Sequence, residues 1–399
     1  MTGFLLEYLS QLLRWLHVVA AIAWIGESFY FVALDRGLKP AKSVLPGLHG
    51  ESWSVHGGGF YLKQKFLPAP AQLPEELHWS KWKSYTTWLS GFALFALMYL
   101  WSPQIWLIDP SVAALTPTQA VLLAIGFPVA GWFVYDALCR AIGFRDALLG
   151  ALVAIGVVAL CFAATQWFAG RAAFLIAGAT LATIMSANVF FVIIPGQKRL
   201  VAALTQGATP NPLDGARGKQ RSVHNTYFTL PVVFAMLSIH FGQAFAHPWN
   251  WAILAGFMAA GALIRQFFVL WHSGARAWWL LVTGAAVLFA LGVALAPKPV
   301  DAPAIPTVVA STLPETPDIV FVQHLLSKHC TSCHSARPTL MPVAPKNTIF
   351  DTPDQIEAQA ALIHQQVVVL KIMPPGNLTQ MSEDERAAIA RWAEQYLTQ

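Results

Sequence analysis

The sequence predicts an all-α protein, in which a bundle of eight membrane-spanning helices is followed by a small, separate C-terminal domain. Composition is the first observation: 56% of the 399 residues are hydrophobic and only 11% are charged, whereas soluble domains are about 25% charged. The second is a series of apolar runs, each about as long as the 20 residues that a helix needs to cross a bilayer. The third is a change to a Pro- and Ala-rich texture after Ala296.

Eight apolar runs are predicted to form the spanning helices. They cover residues 4–34, 84–102, 118–138, 147–168, 172–195, 224–246, 250–271 and 277–296. The first run lacks the cleavage site of a signal peptide, so we expect it to remain as a membrane anchor. Ionisable groups inside the runs, such as Arg14 and Glu27, are expected to face the interior or the ends of the bundle, because lipid does not solvate them.

Basic residues are distributed unequally between the two sides of the predicted bundle. Because Lys and Arg are retained on the cytoplasmic side, this asymmetry places both ends of the chain outside, which in a bacterium is the periplasm. One side carries sixteen basic residues, and the other side, before residue 297, carries only Arg14 and Arg171. The sixteen are Arg36, Lys39, Lys42, Lys63, Lys65, Lys81, Lys83, Arg140, Arg145, Lys198, Arg199, Arg217, Lys219, Arg221, Arg265 and Arg276. Sorting by side, with no pooled basic patch, gives a nucleic-acid role little support.

The predicted organisation has three parts. Residues 1–296 form the multi-pass domain of a bacterial inner-membrane protein, in contact with lipid, and residues 297–316 form a Pro/Ala-rich tether. Residues 317–399 form a separate domain in the periplasm. Cys139 and Cys161 lie inside apolar runs and are predicted to be buried free thiols.

The C-terminal domain contains a Cys-x-x-Cys-His motif. Cys330, Cys333 and His334 have the spacing for covalent haem c attachment, in which both thiols bond the porphyrin and the imidazole ligates the iron. A thioredoxin-like redox pair and half of a zinc site are the alternatives, but neither a βαβ context nor two further ligands are visible.

Met373, in the segment KIMPPGN, is the predicted second axial ligand, because neighbouring prolines and a glycine would stiffen its loop. Met341 and Met381 are the alternatives and are interpreted as packing residues. Helices are predicted in the segments 318–330 and 382–397, the second beginning with a Ser382/Glu385 capping box. This frame resembles a small class I cytochrome c. His324, His329 and His364 are expected at the surface, without a function.

Three separated stretches of the first 296 residues resemble the membrane-bound bacterial urate oxidases (urate hydroxylases), which join an eight-helix membrane domain to a C-terminal cytochrome c. The stretches are WLHVVAAIAWIGESFYF, HGGGFYLKQKFLPAPAQLPEELHWSKWKSYTTWLSGF and HNTYFTLPVVFAMLSIH. The resemblance implies oxidation of urate to 5-hydroxyisourate in purine breakdown. It also implies that electrons leave through the cytochrome to a periplasmic soluble cytochrome c or a terminal oxidase, without forming hydrogen peroxide.

Two other functions are compatible with the residues alone. The first is an electron-transfer module that takes electrons from quinol or a partner subunit and has no urate chemistry. The second is a transporter with a regulatory cytochrome, which the absence of an evident inverted repeat disfavours.

The polar residues of the predicted spans sort by depth into two layers. His17 and His240 lie at similar depth near the periplasmic ends of their spans, where they could ligate a haem b. The alternative is that each histidine only bonds to a neighbouring helix. The other layer lies near the cytoplasmic face, where urate would enter.

We predict that this cytoplasmic layer is catalytic. Its members are Glu27, His56, His224, Asn225 and the glycines Gly57, Gly58 and Gly59. Glu27 or a histidine could accept a proton, Asn225 could bind the purine edge, and the glycines could let backbone N–H groups approach an anionic ligand. The alternatives are a tight turn for the glycines and a partner to an interior histidine for Glu27.

Overall fold

The structure is a computed structural model that describes residues 2–42, 45–296, 314, 316–341, 344–345 and 348–397. Apart from 314 and 316, the predicted tether 297–316 lies outside the described residues. The described chain is mostly helical, as predicted.

The first 296 residues form a bundle of helices. The long ones and their short neighbours are α1 (Thr2–Gly37), α2 (Trp82–Phe95, continued by a π-helical turn Ala96–Leu100), α3 (Pro103–Trp106), α4 (Pro117–Ile142), α5 (Asp146–Trp167), α6 (Gly170–Ala187), α7 (Ile194–Thr205), α8 (Pro212–Leu237), α9 (Gly242–Phe245), α10 (Asn250–His272) and α11 (Trp278–Leu295). A π-helical turn, Asn188–Ile193, joins α6 to α7 in one continuous helix, and a 3₁₀ turn, Ser238–His240, follows α8.

Six of the described helices are long and apolar enough to cross a membrane: Leu5–Gly37, Pro117–Ile142, Asp146–Trp167, Gly170–Thr205, Asn250–His272 and Trp278–Leu295. Each coincides with a predicted span. The predicted count of eight is not confirmed, because the second and sixth spans form helices that do not meet this criterion. These helices are compatible with a multi-pass membrane protein.

The ends of α4 illustrate how local sequence defines a helix. Thr116 and Gln119 form a capping box before the first turn, and Pro117 occupies a position where no backbone N–H is needed. The helix ends at Gly143, whose φ of 65° is unfavourable for a residue with a side chain.

The all-α prediction is wrong for the segment after α1. Strands β1 (Leu48–His56) and β2 (Gly59–Phe66) pair antiparallel, and Lys65 forms an ion pair with Asp35 at the end of α1. The alternation of polar and apolar residues over this segment was a strand signal.

Helices α1 and α2 are antiparallel neighbours. The N-terminal half of α1 contacts the end of α2, where Arg14 Nη2 lies 3.2 Å from Met98 Sδ. The C-terminal half of α1 contacts the start of α2, where Lys83 Nζ lies 2.8 Å from Glu27 Oε1. The buried core of the bundle lies mainly between α4, α5, α6, α8 and α10. Cys139 and Cys161 are buried free thiols in it, as predicted.

Two of the basic residues assigned to the cytoplasmic side are buried inside helices. The helix predicted to begin at residue 224 begins at Pro212, so Arg221 belongs to α8, and Arg265 lies within α10. Both side chains are buried, at 4% and 3% exposure. They are therefore interior groups of the bundle and do not lie in cytoplasmic loops.

The C-terminal region has its own hydrophobic cluster. Its elements are α12 (Ile319–His329), α13 (Pro353–Glu357), α14 (Ala360–Ile363) with a π-helical turn His364–Val369, a 3₁₀ turn Pro375–Asn377 and α15 (Glu383–Leu397). The predicted capping box is present: Ser382 N donates to Glu385 Oε2, and Glu385 N donates to Ser382 Oγ. Met381 is buried in the cluster, as predicted for a packing residue.

One surface prediction is wrong. His329 is 3% exposed, with Nδ1 2.7 Å from Thr379 Oγ1 and Nε2 3.3 Å from Glu385 Oε1. It follows the apolar face of α12, which turns it towards α15.

The C-terminal region packs on one end of the bundle. A Cβ at Gly376 would collide with the carbonyl oxygen of Ile108, and a Cβ at Gly242 would lie 3.1 Å from Leu370 Cδ1 and 3.2 Å from Ile372 Cδ1. The loop that carries Met373 is therefore the part of this region that contacts the bundle.

Candidate functional site

Helix α8 places His224 against α4. His224 Nδ1 lies 2.7 Å from the hydroxyl of Tyr135, and the two rings meet edge to face at 5.7 Å. Asn188 Nδ2 donates to the same hydroxyl at 3.2 Å. Because the tyrosine oxygen accepts from Asn188, its O–H is free to donate to His224 Nδ1.

Asn225 bonds to the helix formed by α6, the π turn and α7. Its Oδ1 accepts from Asn188 Nδ2 at 2.8 Å, and its Nδ2 donates to Met185 O at 3.0 Å. Asn188 is fully buried at the start of the π turn, and its Oδ1 has no described hydrogen-bond partner. Such a turn often marks a functional site.

The sequence interpretation missed Tyr135 and Asn188. Both are polar residues inside apolar runs, Tyr135 with Asp136 in WFVYDAL and Asn188 in SANVFF. Both residues could have been found in this way, because a polar group within a spanning helix is energetically unfavourable unless it is paired.

Arg221 lies one turn before His224 and covers Tyr135. Its Cζ is 4.9 Å from the centroid of the Tyr135 ring, and its Nη2 donates to Asp136 Oδ1 at 2.6 Å. Its Nη1 is buried and has no described partner. A charged group that is only partly compensated in this way favours an anionic ligand.

A cavity of about 350 Å³ opens beside Arg221. Four arginines and two aspartates contribute to its wall: Arg140, Arg199, Arg217, Arg221, Asp136 and Asp214. Asp136 pairs with two of the arginines and Asp214 with Arg199, so the wall has an excess of two positive charges. The cavity lies at the C-terminal end of α4, and the C-terminal region packs near the other end of the bundle.

Glu27 has its described partners at the start of α2. Lys83 Nζ donates to its Oε1 at 2.8 Å, and Ser80 Oγ donates to its Oε2. None of these contacts reaches His224 or Asn225. The predicted layer is thus divided into a Glu27–Lys83 pair and the cluster Tyr135, Asn188, Arg221, His224 and Asn225, which we call the α8 cluster.

The glycine run forms the turn of the β-hairpin, which was the alternative interpretation. Gly57 and Gly58 have φ values of 57° and 79°, as a two-residue hairpin turn requires. His56 is exposed at the end of β1, and a Cβ on Gly57 or Gly58 would meet open space. No described contact joins this turn, including Gly59, to the α8 cluster.

The two predicted haem b ligands have different surroundings. The Nδ1 of His17 donates to Thr87 O at 3.0 Å and lies 3.1 Å from Ser90 Oγ. This arrangement leaves Nε2 as the lone-pair nitrogen, as in metal-ligating histidines. His240 is exposed in the 3₁₀ turn, and its imidazole makes no hydrogen bond with another described residue.

The Cys-x-x-Cys-His motif lies at the end of α12. The backbone N–H groups of Cys333 and His334 both donate to Cys330 O. His334 Nδ1 donates to Thr348 O at 3.0 Å, and its ring packs against Phe350. Burial lowers the pKa of His334, which keeps the imidazole neutral near pH 7, and burial raises the pKa of the Cys330 thiol to about 12.

Met373 is held by the buried side chain of Arg386. Arg386 Nη1 donates to Val367 O at 2.5 Å and to Met373 O at 2.8 Å, and Nη2 lies 3.4 Å from Asn377 Oδ1. The Met373 side chain packs against the C-terminal hydrophobic cluster.

These residues fit a haem c. His334 Nδ1 is engaged by a backbone carbonyl, and no described residue bonds to its Nε2, the nitrogen that would ligate iron. Both thiols are free. No group of three or more His, Cys, Asp or Glu converges among the described residues, so the zinc-site alternative lacks its further ligands.

Fold and site together define a class of protein: a bundle with long apolar helices and a cationic cavity, with a Cys-x-x-Cys-His region packed at its other end. Comparison with known families is more specific. Residues 3–296 match the model of the family described as urate oxidase N-terminal, and the chain belongs to this family. No curated protein and no solved structure matches the chain.

Proposed function

We propose that this protein is a membrane-bound urate oxidase that converts urate to 5-hydroxyisourate and passes the electrons to a haem c in its own C-terminal region. The observation that carries the proposal is the arginine-walled cavity beside the α8 cluster, inside the segment that matches the urate oxidase family. Urate is an anion at neutral pH, so the positive wall would attract it.

The α8 cluster offers the groups that the reaction needs. Urate and water give 5-hydroxyisourate in the same charge state, with release of two electrons and two protons. The Tyr135 hydroxyl donates to His224 and can take up a proton in turn, so the pair forms a relay for the released protons. Asn188 and Asn225 provide amide groups for the purine edge, and Arg221 provides a guanidinium N–H without a protein partner.

Electrons would leave through the other end of the bundle. Cys330, Cys333, His334 and Met373 would hold a haem c, which would supply one-electron transfer. The Met373 loop contacts the bundle at Ile108 and Gly242. Arg221 lies roughly 24 Å from the end of α8 at Leu237, at 1.5 Å per residue, and Gly242 follows that end. A haem b near His17 and His240 would divide this distance into shorter steps.

The asymmetry of basic residues supports an inner-membrane location with the cavity facing the cytoplasm and the C-terminal region in the periplasm. Electrons would then reach a periplasmic soluble cytochrome c or a terminal oxidase without forming hydrogen peroxide.

Anaerobic membranes containing the full-length protein test the proposal. Urate should reduce the c-type absorption band, and a Cys330→Ser, Cys333→Ser protein should show no covalent haem signal. Reduction by quinol and not by urate would contradict the proposal and favour an electron-transfer module.

A further inference from the structure

A second buried arginine lies outside the α8 cluster. Arg265 is 3% exposed in α10, and its Cζ lies 3.9 Å from the centroid of the Phe29 ring in α1. Its Nε and Nη2 are both buried and have no described hydrogen-bond partner.

The charge of Arg265 is not neutralised by the described residues. No described carboxylate pairs with it, whereas Arg221 pairs with Asp136. A cation that is removed from water without an anion destabilises a protein, and the ring of Phe29 offsets only a part of this cost. The position therefore implies an anion that the described residues do not supply.

The unpartnered nitrogens define the shape of that anion. Nε and Nη2 carry parallel N–H bonds along one edge of the planar guanidinium, the fork that binds two acceptor atoms at once. Tyr227, on the helix that carries His224, bonds to Gln266 Oε1 directly beside Arg265. The neighbouring groups are thus an aromatic ring, an amide and a hydroxyl.

We propose that Arg265 forms an anion-binding site between α1, α8 and α10, for a ligand with two adjacent acceptor atoms. Two sources share this chemistry: the edge of the urate anion, which rests on the proposed function, and a propionate of a haem in the bundle.

The first test is the Arg265→Lys variant of the full-length protein in detergent, under anaerobic conditions. Lysine retains the charge and the contact with Phe29 but cannot form the fork. The readouts are the urate concentration that gives half of the maximal rise in melting temperature, and b-type haem content from a pyridine haemochrome assay.

Each source gives a distinct result. If the site binds urate, the half-maximal urate concentration of Arg265→Lys should be about tenfold higher than that of the wild type, or more, with haem content unchanged. If it binds a propionate, b-type haem should be present in the wild type and lost from the variant. The proposal would be overturned if the variant had the same urate response and haem content as the wild type. It would also be overturned if the wild type showed neither a urate response nor b-type haem.

Arg276→Lys is the matched control, because Arg276 Cζ also lies 3.9 Å from a ring centroid, that of Trp271, but on the exposed surface. It should behave as the wild type. Haem c reduction by urate is measured separately, so a failure of the proposed function is distinguishable from a failure of this site.

Arg265→Gln gives a second, independent test if the lysine variant does not fold. Removal of an unneutralised buried charge should raise the melting temperature of the protein freed of ligand. A lower melting temperature in that state would show that the chain already compensates Arg265, and would overturn the proposal.

Discussion

Buried arginines are used differently in the two regions of the molecule. In the C-terminal region, Arg386 donates to the carbonyl oxygens of Val367 and Met373 and so connects two segments of backbone. In the bundle, Arg221 and Arg265 each keep N–H groups without a described partner. An arginine whose N–H groups donate to carbonyl oxygens of its own chain stabilises a loop. An arginine whose N–H groups have no acceptor is available to a ligand.

The largest expected effect is that of Arg386→Met. Two buried carbonyls lose their donor, so the C-terminal region should lose about 3 kcal/mol of its free energy of unfolding. Chemical denaturation of the full-length protein, followed by the c-type haem absorption band, measures this. Arg391→Met is the control, at a half-buried position of α15 where the guanidinium has only a long contact, 3.4 Å, with Pro314 O. It should lose much less; equal losses would show that the two carbonyl contacts of Arg386 do not stabilise the region.

Arg221→Lys should act on the ligand and not on the fold. The half-maximal urate concentration for haem c reduction should rise about tenfold or more, because a lysine cannot reproduce the guanidinium contacts. Haem content and thermal stability in the absence of urate should stay near those of the wild type. A large loss of stability with unchanged urate dependence would show that Arg221, like Arg386, stabilises the fold and does not bind urate.

Glu385 makes the stability of the C-terminal region depend on pH. Burial opposes ionisation of its carboxylate, but hydrogen bonds from Lys328, Ser382 N and His329 outweigh burial and lower its pKa from 4.5 to about 2. Because the folded pKa is the lower one, this contribution is fully present above pH 4.5 and is lost as the pH falls towards 2.

We expect on the order of 1 to 2 kcal/mol from this effect, after allowance for the exposed Lys328. Denaturation midpoints measured between pH 6 and 2.5, for the wild type and for Glu385→Gln, should converge as the pH falls. A parallel pair of curves would show that another group is responsible.

The smallest effect is expected at the hairpin. Gly57→Ala places a side chain at a positive φ, which should cost about 1 kcal/mol locally, without changing urate-driven haem reduction. A loss of that reduction at unchanged haem content would indicate that the glycine turn contributes to the substrate site. It would weaken the proposal that urate binds beside the α8 cluster.

Much of the helical organisation was predictable, because six long apolar runs coincide with helices that meet the same criterion of length and apolarity. The hairpin and the true start of α8 were missed. Both lie where polar residues interrupt the apolar pattern: β1 alternates polar and apolar residues, and the first turns of α8 are charged.

The candidate site was predicted in part. His224 and Asn225 were found because they are polar groups at the start of an apolar run. Their partners Tyr135 and Asn188 lie 89 and 37 residues away in sequence, and no local pattern joins such distances. His56 and the glycines were grouped with them by type and approximate depth, and the described contacts do not join them.

Sequence patterns alone were enough to predict the mostly helical fold, the positions of the long apolar helices and the Cys330–His334 motif. Each of these depends on residues that are close in the chain, where periodicity and spacing operate. Only the tertiary structure decided which buried polar groups meet and which arginines keep unfilled N–H groups. The reason is physical: hydrogen bonds and ion pairs act over a few ångströms in space, and the packing of helices from distant parts of the chain sets those distances.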